Sequence, residues 1–347
     1  MWTHGGDILT VKQYSGKADL IDFSANINPL GQPLSVKNAI MNSVEPSLGY
    51  PDPFCRELKQ SIAEFENINK NYIVCGNGAA EIIFKIAYGL KPKSVLIPAP
   101  TFAEYEQAVR QTGANVNYFY LDEVNEFRLS DEIIPFVKCN DILFICSPNN
   151  PVGNSIDLEL VRNILAVGAE NGTTVVMDEC FMDLTENDSS AKSLVEDYKN
   201  LIIIKAFTKS FGIPGIRLGY CICSDENMLS VLEKTGPPWS VSVPAQLSGI
   251  AACGEREFLR KSVKYICAER VFISNKIREL GLEVFESETN FILFKCHDLD
   301  LRDKLIQKGI VIRDCSNYEG LCCGFYRIAV RTHEENCRLI DSLREVL

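Results

Sequence analysis

From residue 72 the chain alternates short, uniformly apolar runs with longer stretches of helical periodicity, and this alternation narrows the possible folds more than any other feature. The runs YIVCG, SVLIPAP, VNYFYL, DILFICSP, TTVVMDE, NLIIIKAF and GYCICS read as strands. Between them AAEIIFKIAYGL, FAEYEQAVRQTG and LELVRNILAVGAENG read as helices. A strand that is apolar at every position is buried on both faces. Alternation of such strands with helices gives a mostly parallel sheet covered on both sides, an α/β fold.

The pattern changes after about residue 225. A long helical stretch, EREFLRKSVKYICAERVFISNKIRELG, comes first, and short strands and helices then follow to a closing helix, HEENCRLIDSLREVL. That is a smaller α+β unit. The first thirty residues read as irregular, with NINPLGQP as turns. The expected division is a large domain over 30–230, with 1–29 and 231–347 together forming a small domain that closes over a cleft.

Composition excludes several classes of function. The formal net charge is −11 with no long basic run, which argues against a nucleic-acid partner. The 14 cysteines include no C-x-x-C pair and the three histidines are scattered, so free core thiols in a reducing compartment are expected, and no metal site. MWTHGGDILT lacks the basic and apolar regions of a signal peptide, and no apolar run approaches the roughly 20 residues that span a bilayer. The expectation is a cytoplasmic protein without membrane contact.

Ligands of parallel α/β sheets sit beyond the carboxyl ends of the strands, and four strand ends here carry distinctive residues. CGNGAAE sets glycines ahead of a helix, leaving backbone N–H groups that suit a phosphate, although the same residues make a plain turn. SPNNPVG (147–153) is a rigid loop in which Asn150 either donates an amide hydrogen to a ligand or is simply part of the loop. VVMDEC ends at Asp178, and a carboxylate after three apolar residues needs a cationic or donor partner unless it caps a turn. The last run leads to Lys209, with Arg217 following Gly212, Pro214 and Gly215; the two cations either bind an anion between them or form a solvated basic loop.

The combination is more specific than its parts. A phosphate cup, an amide donor, a buried carboxylate, a lysine and an arginine follow one another in the order that a pyridoxal 5'-phosphate enzyme needs. A lysine desolvated in such a site has a nucleophilic amine. SPNNPVG, MDECF and TKSFGIPGIRLGY together resemble the fold-type I pyridoxal phosphate enzymes, in the branch that holds the histidinol-phosphate aminotransferases and threonine-phosphate decarboxylases. The resemblance covers nearly the whole chain and implies the aspartate aminotransferase fold. It implies that Lys209 forms the Schiff base, that Asp178 pairs with the pyridine nitrogen, and that Asn150 bonds the ring 3-oxygen. Gly78, Ala79, Thr208 and Arg217 would hold the cofactor phosphate, and Phe102 would stack on the ring. Tyr50, in GYPDP, would reach the neighbouring subunit's phosphate in a homodimer with shared active sites. Arg327, in YRIAVRT, would grip the substrate α-carboxylate.

One position departs from the aminotransferase pattern. Phe181 in DECF stands where those enzymes usually carry a tyrosine that contacts the ring oxygen. HGGDI and DFSANINPLG resemble the N-terminal signature of the decarboxylases, which marks His4, Gly5, Asn26 and Asn28 as substrate residues. Arg331 stands where the aminotransferases usually have glycine; it is either a second cation for a substrate phosphate or an outward residue in a surface ion pair. The resemblance thus implies decarboxylation of O-phospho-L-threonine to (R)-1-amino-2-propanol O-2-phosphate for the cobalamin nucleotide loop. The alternatives are a histidinol-phosphate aminotransferase and an O-phospho-L-serine decarboxylase. The catalytic motifs serve both reaction types and do not choose between them.

Overall fold

The computed structural model describes residues 5–187 and 189–347. Its strands, numbered along the chain, begin with β1 (Ile21–Asp22). Seven more build the large sheet: β2 (Ile73–Gly76), β3 (Ser94–Ala99), β4 (Asn115–Tyr120), β5 (Ile142–Cys146), β6 (Thr174–Asp178), β7 (Leu201–Ala206) and β8 (Gly219–Ile222). Their spatial order is β2-β8-β7-β6-β5-β3-β4. Every neighbouring pair from β7 to β4 is parallel, whereas β8 runs antiparallel to both β7 and β2. Crossover helices such as Leu158–Asn171 enforce the parallel pairs, while β7 returns directly into β8 with only a single helical turn between them.

The central strands are apolar throughout because helices cover both faces. In β7, Leu201 and Ile203 enter one core and Ile202 and Ile204 the other, as the two-residue period of a strand requires. The exception is Lys205, which is fully buried in the same strand. Its ammonium pairs with Glu66 Oε1 and Asp183 Oδ1, each at 2.7 Å, and Tyr220 donates its hydroxyl to the same Glu66 oxygen. Only such pairing makes a buried charge tolerable.

The smaller unit is a four-stranded antiparallel sheet with β9 (Glu283–Val284), β10 (Phe291–Lys295), β12 (Arg313–Asp314) and β13 (Phe325–Ala329); β11 (Ile310–Val311) lies outside it. β11 pairs in parallel with β1, and Phe23 is buried in the small unit's core beside Ile273 and Ile277. The N-terminal segment is therefore ordered structure and not the irregular stretch its sequence suggested. It forms a helix, Ile8–Ser15, whose Asp7 cap accepts from Thr10 N and whose Gly16 closes the other end at φ 69°. Only Val11 of that helix is fully buried, so its apolar signal is faint.

The sequence pattern changes after about residue 225, but the packing changes later. Val241, Ala245, Ala252 and Leu259 enter the core of the large sheet, and Ile273 and Ile277 enter that of the small one. The long helix Arg256–Glu279 thus spans both. All 14 cysteines are free; Cys139, Cys322 and Cys323 are exposed, against the expectation of core positions. Among the described residues no helix is long and apolar enough to cross a membrane.

Candidate active site

A cleft of about 310 Å³ opens between the two sheets at the carboxyl ends of β5, β6 and β7. This is within the usual size for a small-molecule site. Lys209 and Asp178 both line it, together with residues of the N-terminal segment and the small sheet.

Lys209 does not end a strand. β7 stops at Ala206, and the lysine lies in the helical turn Phe207–Ser210, which turns its side chain into the cleft. Burial, with Arg327 and Arg217 nearby, lowers its pKa to about 8. The Nζ atom stands 5.9 Å from the centre of the Phe181 ring. Asn28 fixes the turn from behind: its backbone N–H donates to the Lys209 carbonyl at 3.1 Å, and its Nδ2 donates to the Ser210 carbonyl and Ser262 Oγ, each at 2.8 Å. Asn28 is therefore placed against the backbone of the lysine turn and does not line the cleft.

Asp178 ends β6. Its carboxylate accepts from Tyr105 Oη at 2.6 Å and from the Cys180 N–H at 3.0 Å, and burial raises its pKa. The Tyr105 ring stacks on Phe144 at 5.0 Å and meets the edge of Phe102 at 5.7 Å. Sequence reasoning missed Tyr105, although it lies three residues after Phe102 in APTFAEY. Its place in an amphipathic helix reads as core, and only the fold shows what its hydroxyl meets.

One end of the cleft lies at the start of the helix Gly78–Leu90. Gly78 has φ +81°, and a Cβ there would lie 2.6 Å from Arg217 Nη2. Glycine therefore lets a guanidinium lie directly against a helix N-terminus, where backbone N–H groups also point outward. Arg217 itself adopts φ 62° and donates from Nη1 to the Pro214 carbonyl at 3.1 Å. Ala79, Thr208 and Arg217 line this end of the cleft.

The small-sheet side of the cleft is made by β12 and β13. Arg327 donates to Asn150 Oδ1 and, at 2.8 Å, to the Ser24 carbonyl. Arg313 is its register partner across the two strands and also lines the cleft, with Nη2 donating to Asn317 Oδ1 at 2.7 Å. The sequence reading missed Arg313, since IVIRDC carries no sign of which face its arginine takes. Arg331 is held elsewhere, by Glu335 at 2.8 and 3.1 Å and by the Asp22 carbonyl at 3.0 Å; it does not line the cleft. Of its two readings, the ion pair is the one observed.

Gly5 and Asn26 line the cleft, and His4 lies outside the described residues. A Cβ on Gly5 would overlap the Ser24 carbonyl, so a larger residue there would displace the loop. Tyr50 is 85% exposed, its ring tilted against Trp239 at 5.0 Å, and is not brought to the cleft within one chain. Phe181 is buried edge-on to Phe291 at 5.0 Å and presents only hydrocarbon to the cleft.

This donor set suits a group with a phosphate, a ring nitrogen that carries a proton and a carbonyl that takes an amine. The glycine cradle under Arg217 fits the phosphate, Asp178 fits the ring nitrogen and Lys209 fits the carbonyl carbon. Among the described residues, Asn26 Oδ1 and Arg327 Nε are buried without a hydrogen-bond partner, which leaves polar capacity for a ligand.

Comparison with known proteins agrees with this geometry. A family model, aminotransferase class I and II, matches residues 18–343. The threonine-phosphate decarboxylase of Salmonella typhimurium is 34% identical over 99% of this chain and 96% of its own length. The adenosylcobalamin biosynthesis bifunctional protein CobDQ of Leptospira interrogans is 32% identical over 99% of this chain and 41% of its own length. Among solved structures, the histidinol-phosphate aminotransferase of Clostridium acetobutylicum superposes with a TM-score of 0.89 at 33% identity, covering 94% of this chain and 99% of that one.

Proposed function

The chain belongs to the aminotransferase class I and II family, and from that premise we propose that it is a pyridoxal 5'-phosphate enzyme that decarboxylates O-phospho-L-threonine. The product would be (R)-1-amino-2-propanol O-2-phosphate, for the nucleotide loop of cobalamin. The observation that carries this reading is the pair of arginines, Arg313 and Arg327, in register on neighbouring strands and both facing the cleft that holds Lys209. A substrate with two anionic groups, a carboxylate and a phosphate, suits two such cations.

When bound, the cofactor supplies an electron sink for the pair left by a broken bond at the substrate α-carbon. Asp178 keeps the proton on the ring nitrogen, and Tyr105 and the Cys180 amide hold the carboxylate in place for it. Gly78, Ala79, Thr208 and Arg217 bind the cofactor phosphate, and Phe102 covers the ring. Asn150 donates to the ring oxygen. Lys209 would be the amine that holds the aldehyde carbon, and its Nζ, facing the cleft, would be one group able to carry a proton at the substrate α-carbon. Arg327 and Arg313 hold the two substrate anions, with Gly5 and Asn26 closing the N-terminal side. By fixing rotation about the α-carbon, the arginines select which of its bonds is broken.

The exposed apolar side chains Val44, Leu48, Tyr50, Phe54 and Trp239 suit a face that meets a second copy of the chain. In that homodimer Tyr50 would reach the partner's cofactor phosphate. Residues 30–230, with 241–259 packed into the same core, would form the large domain, and 1–29 with the chain beyond the middle of the helix Arg256–Glu279 would close over the site, in a cytoplasmic enzyme.

A histidinol-phosphate aminotransferase is the second reading, favoured by the likeness to the Clostridium acetobutylicum structure. An O-phospho-L-serine decarboxylase differs from the first by one substrate methyl, worth only about 1–3 kcal/mol in a pocket. The test is a paired assay. Carbon dioxide release is measured from phosphothreonine and phosphoserine, and 2-oxoglutarate-dependent amino transfer is measured from histidinol phosphate. Release from phosphothreonine with little amino transfer is expected. Amino transfer without release would overturn the proposal.

A further inference from the structure

The loop 315–324, between β12 and β13, carries Tyr318 into the cleft. Its ring lies under the Arg313 guanidinium, 5.3 Å from centroid to Cζ. Its hydroxyl is 3.3 Å from Asn150 Oδ1 and 3.3 Å from Arg327 Nη1. Arg327 Nη1 also donates to Asn150 Oδ1, so the three groups close a ring of contacts.

A primary amide accepts at its oxygen and donates from its nitrogen. With Oδ1 of Asn150 facing Arg327 and Tyr318, Nδ2 is turned the other way, as a donor to the cofactor ring oxygen requires. Phe181, which also lines the cleft, offers no hydroxyl for that oxygen. Tyr105, the other phenol lining the cleft, is committed to Asp178. Tyr318 is thus the remaining tyrosine that lines this cleft, and it touches Arg327, Arg313 and Asn150 together.

We propose that Tyr318 is a positioning residue: its hydroxyl locks the orientation of Asn150 against Arg327, and its ring seats Arg313, compensating from the substrate side for the hydroxyl absent at Phe181. This deepens the proposed function and rests on its assignment of Asn150 to the ring oxygen.

The test uses the full-length holoenzyme with Tyr318→Phe, and Tyr120→Phe as a control. Tyr120 bonds Glu319 in the same loop at 2.7 Å but does not line the cleft. The first readout is the pH midpoint of the absorbance of the lysine-bound cofactor. A donor at the ring oxygen stabilises negative charge there, so loosening it moves the midpoint upward, by about half a unit for one modest hydrogen bond in Tyr318→Phe. Tyr120→Phe should leave it in place. The second readout is the split between KM and kcat for phosphothreonine. KM should rise several-fold in Tyr318→Phe through a less firmly held Arg327, and much further in Tyr318→Ala, which also frees Arg313.

An unmoved midpoint in Tyr318→Phe would overturn the inference. So would equal shifts in the two phenylalanine variants, since those would indicate loop anchoring alone. If the unaltered enzyme releases no carbon dioxide from phosphothreonine, the proposed substrate falls, while the midpoint comparison still decides the role of Tyr318.

Discussion

Burial and two neighbouring guanidinium groups bring the Lys209 amine to about 8, against 10.5 for a free lysine. Only the neutral amine attacks a carbonyl, so capture of pyridoxal phosphate by the cofactor-free protein should accelerate as pH rises and level off above about 8. Arg327→Met removes the larger of the two repulsions and should move that inflection upward; stopped-flow absorbance across pH 6–10 checks it. An inflection that stays put would mean that burial alone sets the amine. That Lys209 and Asp178 reach the cleft was legible in the sequence, because a charge at or just beyond an apolar run demands a reason. Tyr105 and Arg313 were not. Each lies in an element whose pattern is fully explained by packing, and only the fold reveals that it also reaches the cleft. Arg331 misled for the converse reason, since a cation near a key arginine in sequence can still face Glu335.

Among the elements, the strands of the large sheet and their crossover helices were readable because both-sided burial leaves unbroken apolar runs. The helix Ile8–Ser15 and the two-residue β1 were not, as they bury too few side chains to imprint a period. The start of the helix Gly78–Leu90 is where element geometry bears most directly on chemistry. A methyl group at Gly78 is opposed twice, by a φ of +81° and by Arg217 Nη2 at 2.6 Å. Gly78→Ala should therefore push the guanidinium out of the phosphate cradle and weaken cofactor binding by roughly tenfold or more, the scale of one charge-assisted hydrogen bond. Equilibrium titration of the cofactor-free protein measures this. Unchanged affinity would show that the cradle takes its anion elsewhere.

For the molecule as a whole, the buried charges beneath the large sheet set how stability responds to acid. Burial would raise the Glu66 carboxyl, but Lys205 overrides it and holds the pKa at about 2. Its contribution is present above the ordinary glutamate value and is lost as pH falls toward 2. Glu179 behaves oppositely: burial pushes it up to about 7, despite hydrogen bonds from Ser190 and Ala191. The unfolded chain sheds that proton first, so this group favours the fold below about 4.5 and the benefit fades as pH rises to about 7. Glu179→Gln should remove that slope and make the variant relatively more stable at pH 8 than at pH 5, as read by urea midpoints at the two values. A parallel offset at both would exclude titration of Glu179 as the cause.

The pairing of Ile21 with Ile310 has a consequence for synthesis. β1 leaves the ribosome long before β11, and finds its hydrogen-bonding partner only when residue 310 has emerged. Until then the large sheet can assemble by local strand–helix steps, while Phe23 and its neighbours wait uncovered, a window in which a chaperone would bind and a truncated chain would aggregate.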